Sequence, residues 1–419
     1  MPARTRLAAR AGLAVAYGSR LAGHGGSVLG GRVTLALDAR ALPRLSEGRT
    51  IALVSGTNGK TTTTGLLAAA LGTGGSVVTN DSGANLPYGL VAALTADLAA
   101  GTAVLEVDEG ALPPVVAATR PAVVVLLNLS RDQLDRYGEV RMIAARWRGA
   151  LADAPGAHVV ANADDPIVVW AARAAASVTW VGAGQSWRED AATCPACGHQ
   201  LRWDGSAWAC GSCDLVRPEP TLSVDGLGLV SSRGERIGER IGERIGERIA
   251  VELRLPGRCN VANAAMAAAA AQHLGVPMAR AVAAMSETTE VAGRYRVVRV
   301  GSSLARLLLA KNPAGWVEAL DLLRPPPLPV VVAINARVAD GRDPSWLWDV
   351  PFERLRGRSV VASGERAADL AVRLRYADVE HETCSDPLDA VRGLGAPAVD
   401  LAANYTAFQS VVGATARAG

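Results

Sequence analysis

The sequence predicts an α/β fold in which a parallel, doubly wound sheet is followed by a second α/β domain. Three observations lead to this prediction: short apolar segments alternate with Ala/Leu-rich helical segments, a glycine-rich loop joins an apolar strand to a helix, and a second such series begins near residue 294. Strands that alternate with helices are typical of parallel sheets, because a crossover must connect strands running in the same direction. A length of 419 residues allows two or three domains.

The predicted organisation has three parts. Residues 1–48 contain a helix and a short strand at Val33–Leu37, where apolar residues alternate, residues 49–293 form the central domain, and residues 294–419 form the C-terminal α/β domain. The predicted strands of the central domain are 51–54, 102–107, 122–127, 159–161 and 178–181, and those of the C-terminal domain are 330–334, 359–362 and 398–401.

Charge and composition limit the classes of partner. The chain has 43 basic and 40 acidic residues, a balance that argues against nucleic acid as a partner. Arg10 and Arg20 interrupt the apolar N-terminal stretch, and no apolar run reaches the ~18–20 residues that span a bilayer. We therefore expect an amphipathic first helix, compatible with a position near a membrane surface. Without export, the six cysteines belong to a reducing compartment, the cytoplasm.

The strongest local signal is a phosphate-binding loop at Ser55-Gly-Thr-Asn-Gly-Lys-Thr-Thr-Thr63, between an apolar strand and a helix. Glycines allow backbone N–H groups to approach phosphates closely, and the helix N-terminus favours negative charge. Lys60 is expected to reach the β/γ-phosphates of ATP, and the Thr61 hydroxyl to bind Mg²⁺. The predicted nucleotide-binding residues of this loop are Gly56, Thr57, Asn58, Gly59, Lys60, Thr61 and Thr62.

Two inserts interrupt the central domain. In residues 190–218, Cys194-Pro-Ala-Cys197 and Cys210-Gly-Ser-Cys213 supply four thiolates, enough to close a tetrahedral Zn²⁺ site. A redox pair would not need two copies, a closed site favours a structural role over catalysis, and few basic residues flank the insert for nucleic-acid binding. The second insert, residues 234–249, repeats Gly-Glu-Arg-Ile and is expected to be an expansion in a surface loop or hairpin.

Five further motifs follow the phosphate loop along residues 50–295. They are Leu105-Glu-Val-Asp108, Asn128-Leu-Ser-Arg-Asp-Gln-Leu-Asp-Arg-Tyr-Gly138, Val160-Ala-Asn-Ala-Asp-Asp-Pro166, Pro256-Gly-Arg-Cys-Asn-Val-Ala-Asn263 and Ala292-Gly-Arg294. In this order they resemble the motifs of the Mur ligase family, which also includes the folylpolyglutamate synthases. The resemblance implies that Glu106 binds magnesium, that Asn260 contacts the adenine ring, and that Arg294 lies at the hinge near the nucleotide. Gln133 replaces the histidine usual in the family, which argues against direct metal ligation there.

Two further segments narrow the resemblance. Together with the four-cysteine insert, Lys311-Asn-Pro313 and Asp340-Gly-Arg-Asp-Pro-Ser-Trp-Leu-Trp-Asp349 are similar to the MurT family. This resemblance implies an ATP-dependent ligase with a Mur ligase fold, a zinc ribbon and a C-terminal α/β domain. It also implies amidation of the α-carboxylate of D-isoglutamate in the lipid II stem peptide, at the inner face of the cell membrane. The resemblance further implies that the ammonia comes from a partner glutaminase subunit, GatD.

The same resemblance assigns roles to single residues. Lys60 and Glu106 serve the phosphoryl-transfer chemistry, and the loop carrying Asn80 and Asn85 faces the sugar–peptide substrate. An aspartate of the C-terminal domain completes the glutaminase's Cys–His pair; of Asp340, Asp343 and Asp349 we select Asp343. A simple turn is the alternative role for this aspartate, since Asp-Gly is a strong turn former.

Two other functions stay open at this stage. One is a Mur-type or folylpolyglutamate-type ligase that adds an amino acid, which would be active without a glutaminase. The other is an ATP-binding scaffold that docks partners without turning over ATP.

Overall fold

The computed structural model describes residues 1–21, 27–80, 83–131, 139–185, 187–226, 228–231, 248–288 and 295–418. The chain forms two compact units. The first comprises Met1–Ser130 with Tyr137–Thr289, and the second comprises Arg131–Arg136 with Glu290–Gly419.

The first unit is built on one large sheet. The strands of this unit are β1 (Thr50–Ser55), β2 (Val77–Thr79), β3 (Thr102–Glu106), β4 (Val123–Leu126), β5 (His158–Asn162), β6 (Ser177–Gly182), β7 (Leu201–Asp204), β8 (Ala207–Cys210), β9 (Leu222–Asp225), β10 (Gly228–Ser231) and β11 (Arg248–Ala250). Strands β7 and β8 form a separate two-stranded antiparallel sheet, and the others belong to the large sheet. Within the described residues, the sheet order is β11-β10-β9-β6-β5-β4-β1-β3-β2, with parallel pairing from β9 to β2. The five strands predicted in this domain are confirmed.

The helices of the first unit surround the sheet, whose central strands are buried on both faces. They are α1 (Ala3–Leu21), α2 (Ser27–Leu37), α3 (Ala41–Ser46), α4 (Lys60–Gly72), α5 (Pro87–Ala96), α6 (Leu112–Thr119), α7 (Val140–Ala152), α8 (Pro166–Ala172), α9 (Arg258–His273) and α10 (Met278–Ser286). The core between layers is almost wholly apolar, as in Leu53, Leu105 and Val124, each fully buried. Such two-sided burial explains why the central strands are continuous apolar runs.

The predicted strand at Val33–Leu37 is wrong, because these residues belong to helix α2. The alternation of apolar residues suggests a strand, but packing of this segment against α1 favours a helix. A Cβ on Gly30 would lie 2.7 Å from the Gly12 carbonyl oxygen, so the two backbones approach closely only because both residues are glycine. The Thr34 hydroxyl donates to the Gly30 carbonyl at 3.0 Å, a bond within the helix that a strand cannot make.

The second unit contains a six-stranded sheet of its own within residues 295–418. The strands are β12 (Tyr295–Val300), β13 (Ser303–Leu309), β14 (Val330–Ala333), β15 (Val360–Ser363), β16 (His381–Cys384) and β17 (Ala398–Ala403), and the helices are α11 (Pro313–Asp321), α12 (Ala367–Tyr376), α13 (Pro387–Gly393) and α14 (Tyr405–Ala418). The order is β12-β13-β17-β14-β15-β16, antiparallel between β12 and β13 and parallel elsewhere. The three strands predicted here are confirmed.

The Gly-Glu-Arg-Ile repeat lies largely outside the described residues, which resume at Arg248. Strand β10, which precedes the repeat, pairs antiparallel with β11, which contains the last two residues of the repeat, with Leu229 opposite Ile249. Among the described helices, none combines the length and apolar character required to cross a bilayer.

Candidate functional site

The phosphate loop occupies the turn between β1 and α4. Gly59 has φ 86° and directly precedes the helix. A side chain there would collide with the Asn263 amide oxygen as well as strain the backbone. Gly56 has φ 146°, and its Cβ would stand 2.9 Å from the Leu127 Cβ. Both predicted glycines are therefore required by the backbone path, which leaves the first N–H groups of α4 at the loop.

Lys60 is held inside this loop. Its Nζ donates to the Gly56 carbonyl at 2.5 Å, to the Thr57 carbonyl at 3.2 Å and to Glu109 Oε2 at 3.0 Å. The side chains of Lys60 and Glu109 are 8% and 10% exposed, so the ion pair is nearly buried. Glu109 was missed by the sequence reasoning, although three carboxylates close together after a strand, at 106, 108 and 109, are a visible signal.

The predicted magnesium ligands meet beside the loop. The Thr61 hydroxyl donates to Glu106 Oε2 at 2.7 Å, and the Asn85 amide donates to Glu106 Oε1 at 3.1 Å. A hydroxyl and a carboxylate are oxygen donors of the kind that Mg²⁺ prefers. The residues present therefore fit the ion that the phosphate loop implies.

Asn80 fixes the backbone beneath this carboxylate. Its Oδ1 accepts from the Glu106 N–H and its Nδ2 donates to the Glu106 carbonyl, both at 2.8 Å. The side chain is 4% exposed, so its polar atoms face the protein. Asn80 thus supports Glu106, and contact of Asn80 and Asn85 with substrate stays a prediction.

Asn128 clamps the other side of the phosphate loop. Its Oδ1 accepts from the Asn58 N–H at 2.8 Å, its Nδ2 donates to the Asn58 carbonyl at 3.0 Å, and its backbone carbonyl accepts from the Thr57 N–H at 2.9 Å. The Thr57 hydroxyl in turn accepts from the Ser130 N–H at 3.0 Å. The end of β4 therefore sets the loop's shape.

A buried acidic turn supports that end of β4. Asp165 Oδ2 accepts from the Leu129 N–H at 2.8 Å, while Oδ1 caps α8 by accepting from Ile167 and Val168. Burial raises the pKa of Asp165 to about 6, against the lowering effect of these backbone N–H donors. The next residue back, Asp164, accepts from the Gly184 N–H at 2.6 Å.

The four cysteines of the insert converge. Their sulfur atoms lie within 4.8 Å of one another, with Cys194 and Cys213 at 3.7 Å and Cys197 and Cys210 at 3.5 Å. A zinc ion with Zn–S bonds of about 2.3 Å places tetrahedral sulfurs roughly 3.8 Å apart, so the set fits zinc. The Ser212 N–H donates to the Cys210 sulfur and lowers the pKa of that thiol to about 6, which favours the thiolate.

The ribbon formed by these cysteines and by β7 and β8 is joined to the acidic turn. The Trp208 indole N–H donates to the Ala163 carbonyl at 3.1 Å, and Trp208 is 2% exposed. Arg217 Nε donates to Asp164 Oδ1 at 2.7 Å. Hydrogen bonds therefore run from the ribbon through the acidic turn to Leu129, the neighbour of Asn128.

Two of the other residues predicted to bind nucleotide, Asn260 and Thr62, lie within the described part of the chain. Asn260 lies in the first turn of α9, where its Nδ2 donates to the Pro256 carbonyl at 2.7 Å and its Oδ1 accepts from Asn263 at 3.4 Å. Thr62 is 4% exposed in the first turn of α4. Gln133 and Arg294 lie outside the described residues.

In the second unit the three candidate aspartates have different surroundings. Asp340 is 8% exposed, and its carboxylate accepts from the Thr406 N–H at 2.8 Å and from the Thr406 hydroxyl. Asp343 is exposed and accepts from the Ser345 N–H and hydroxyl, both at 2.9 Å; these donors lower its pKa. Asp349 is also exposed. Asp340 is therefore a structural cap, while Asp343 is an ionised, oriented and accessible carboxylate.

A further group at the carboxyl ends of β13, β14 and β17 was not foreseen. The Lys311 ammonium lies 5.0 Å from the ring centroid of Tyr405, which begins α14. The Asn404 side-chain amide bonds the Asn335 backbone twice: Oδ1 accepts from the Asn335 N–H at 3.0 Å, and Nδ2 donates to the Asn335 carbonyl at 2.6 Å. These contacts tie the predicted Lys311-Asn-Pro313 and Asp340–Asp349 segments to residues 404–406, which no motif had marked.

Two family models match the chain: the MurT ligase C-terminal model over residues 309–408 and the Mur ligase middle domain model over residues 54–194. Over 374 residues the chain is 30% identical to the lipid II isoglutaminyl synthase subunit MurT of Streptococcus pneumoniae, covering 84% of this chain and 82% of that one. The chain belongs to the MurT family. The Staphylococcus aureus MurT is 29% identical, with 86% and 85% covered.

Other relatives place this MurT-family chain among the Mur ligases. It is 30% identical to the UDP-N-acetylmuramoylalanine–D-glutamate ligase of a Caulobacter species over 65% of its length and 51% of that enzyme's. A pseudomurein peptide ligase type C from Methanothermus fervidus shares the fold, with a TM-score of 0.68, 18% identity and 88% and 79% of the two chains covered. MurF of Thermotoga maritima, solved with ADP, has a TM-score of 0.60 at 16% identity, over 90% and 81%. The Mur ligase fold implies ATP and Mg²⁺.

Proposed function

We propose that this chain is the synthase subunit of a glutamine-dependent lipid II amidotransferase. It activates the α-carboxylate of D-isoglutamate in the stem peptide with ATP and converts it to the D-isoglutamine amide. The observation that carries the proposal is the likeness to MurT over 84% of the chain, including the C-terminal domain, joined to a phosphate loop in which the Thr61 hydroxyl lies 2.7 Å from Glu106 Oε2.

The chemistry requires activation because a carboxylate is a poor acyl donor. Phosphorylation by ATP gives an acyl phosphate, which ammonia then attacks with release of phosphate. The protein's part is positioning and charge stabilisation. Lys60, already inside the loop, would exchange its carbonyl and Glu109 contacts for phosphate oxygens, and Thr61 and Glu106 would hold a Mg²⁺ ion that neutralises developing charge.

The acceptor enters on the side of Asn85. This amide points at the Glu106 carboxylate from the loop between β2 and α5. A carboxylate acceptor brought to the γ-phosphate of ATP would therefore pass between this loop and the phosphate loop. Ammonia is small and uncharged, so no pocket for an incoming amino acid is required.

The second unit serves the partner glutaminase. We assign to Asp343 the completion of the partner's Cys–His pair, because a carboxylate orients an imidazole and stabilises its protonated form. The Ser345 donors hold the Asp343 carboxylate in its ionised form, which this role requires. The four-cysteine ribbon holds zinc in a structural role.

The test is amidation of lipid II by the purified chain, with a co-expressed glutaminase subunit, ATP and glutamine. The expected product has one OH replaced by NH₂ in its mass spectrum, depends on the glutaminase, and is lost in Lys60→Ala. Addition of a complete amino acid without the glutaminase would replace the proposal with an amino-acid ligase. ATP binding without any product would replace it with a scaffold.

A further inference from the structure

The first two helices carry unusually exposed apolar side chains. Leu7, Tyr17 and Leu21 of α1 are 70%, 62% and 74% exposed, more than any other large apolar side chain described in the first unit. Leu29 and Leu37 of α2 are 47% and 46% exposed. Exposed apolar groups that cluster on one element mark an interaction surface more often than scattered ones do.

The inward face of α1 has the opposite character. Its buried residues are small, namely Thr5, Ala8, Ala9, Gly12 and Ala16. They allow close contact with α2, where Gly30 meets Gly12. An ordinary surface helix turns its large apolar residues to the core. In α1, by contrast, small residues form the contact with α2, and the large apolar side chains are exposed and available to bind a partner outside the chain.

The charge on this helix pair is of one sign. Residues 1–37 contain five arginines and no aspartate or glutamate. The first acidic residue, Asp38, is buried and bound to Thr5 and Arg44, so it does not offset the surface charge. Arg6 and Arg10 are exposed, and neither forms an ion pair within the described part of the chain. The surface thus combines exposed leucines with uncompensated arginines.

The helix pair also adjoins the acceptor side of the magnesium site. The Arg32 guanidinium of α2 lies 5.1 Å from the ring centroid of Tyr88 in the first turn of α5. Tyr88 follows Asn85 by three residues, and the Asn85 amide donates to Glu106. The surface is therefore connected by direct packing to the loop that faces the proposed acceptor.

We infer that α1 and α2 form an interfacial docking surface for the anionic face of a lipid bilayer. Leu7, Tyr17 and Leu21 enter the boundary between headgroups and acyl chains, and Arg6 and Arg10 bind lipid phosphates. Charge complementarity selects this occupant, because an acid-free basic surface with apolar residues matches anionic lipid. The inference rests on the proposed lipid-linked acceptor, which a docked enzyme meets at the membrane plane.

The experiment is co-sedimentation of the full chain with vesicles of phosphatidylcholine, with or without phosphatidylglycerol, in the absence of ATP. We expect binding to the anionic vesicles and weaker binding to the neutral ones. Arg6→Gln with Arg10→Gln should lower the partition coefficient about 30-fold, and Leu7→Ser with Leu21→Ser by at least about tenfold. Both double variants change exposed side chains, and unchanged melting temperatures would confirm that they fold.

Matched controls come from exposed residues of the second unit. Arg296→Gln with Arg375→Gln removes the same charge, and Val372→Ser with Tyr376→Ser removes comparable apolar surface; both should bind vesicles like the wild type. Failure of the wild type to bind anionic vesicles would overturn the inference, as would equal loss in the controls. The Leu7→Ser with Leu21→Ser variant could instead bind vesicles normally but no longer bind the glutaminase or a second copy of the chain. That result would show that the surface binds a protein and would also overturn the inference.

The same variants separate this inference from the proposed function. Amidation of a water-soluble muropeptide acceptor should be unchanged in both N-terminal double variants, while amidation of vesicle-bound lipid II should fall with the partition coefficient. A wild type that binds vesicles but amidates neither acceptor would refute the proposed function and leave the docking surface standing.

Discussion

The hydroxyl of Thr61 donates to Oε2 of Glu106 over 2.7 Å and so joins the first turn of α4 to the end of β3. Glu106 is 3% exposed; its carboxylate also accepts from the Asn85 amide, and its backbone N–H and carbonyl are both bonded to Asn80. A carboxylate held by two donors on a fixed backbone needs little rearrangement when a metal ion binds beside it. Such preorganised ligands stabilise developing charge more effectively than mobile ones.

Glu106→Gln is expected to lower the rate of ATP turnover about 100-fold, because it removes the charge that binds Mg²⁺ while keeping an oxygen for Thr61. The measurement is kcat as a function of Mg²⁺ concentration. Asp108→Asn is the matched control: Asp108 lies two residues away and accepts from the Gly110 N–H, so turnover should be retained. An equal loss of turnover in both variants would contradict a specific role of Glu106 in binding Mg²⁺.

Glu109→Gln is expected to destabilise the nucleotide-free protein by about 2 kcal/mol, because it removes the Glu109 charge that pairs with the buried Lys60 ammonium. The loss is smaller than a typical broken buried pair, since the Gly56 and Thr57 carbonyls still accept from Lys60. Phosphates supply the missing charge. The rise in melting temperature on adding Mg-ADP should therefore be larger in the variant than in the wild type.

An equal rise in both proteins would show that Lys60 keeps Glu109 as its partner when nucleotide binds. Lys60→Met serves as the reference for this comparison. It removes the ammonium itself and should abolish the ADP-induced rise.

Trp208→Phe is expected to weaken ATP binding about 3- to 10-fold, the effect of one lost hydrogen bond. The indole N–H bound to Ala163 holds the acidic turn whose Asp165 accepts from Leu129, next to the Asn128 clamp. Calorimetric ATP affinity and zinc content are the measurements, and zinc should remain. Trp203→Phe is the control, because Trp203 lies on β7 of the same ribbon and packs beside Trp208. A lower melting temperature with unchanged ATP affinity would show that the ribbon stabilises the fold without influencing ATP binding.

Asp343→Asn is expected to lower glutamine-dependent amidation by on the order of 10³- to 10⁴-fold, as in other triads that lose their carboxylate. Amidation with added ammonium should be unchanged, because Asp343 has no part in the ATP chemistry. Both activities are measured by product mass with the glutaminase present. Asp349→Asn, an exposed carboxylate six residues on, should behave as the wild type. The reverse pattern would transfer the role to Asp349.

Local motifs explain how much of this site is predictable from sequence. The phosphate loop and the cysteine cluster are defined by residues close together in the chain, where spacing is informative. Glu109 acquires its role by meeting Lys60 across 49 residues, and Tyr405 by meeting Lys311 across 94, separations on which sequence spacing carries no information. The strand predicted at Val33–Leu37 failed for the same reason, since the contact between Gly12 and Gly30 decides the helix there.

His158 predicts a pH dependence of stability. Its ring stacks on His273 with centroids 3.8 Å apart, and burial together with His273 lowers its pKa from 6.5 to about 4. Between these two pH values the unfolded chain binds a proton here that the native protein does not. The free energy of unfolding should therefore fall as the pH falls from 6.5 to about 4. His158→Gln keeps a polar group for Ser177 and Thr179 but does not titrate. Urea unfolding across this window should give a shallower pH dependence for the variant than for the wild type, and equal slopes would show that the native ring accepts its proton as readily as the unfolded one.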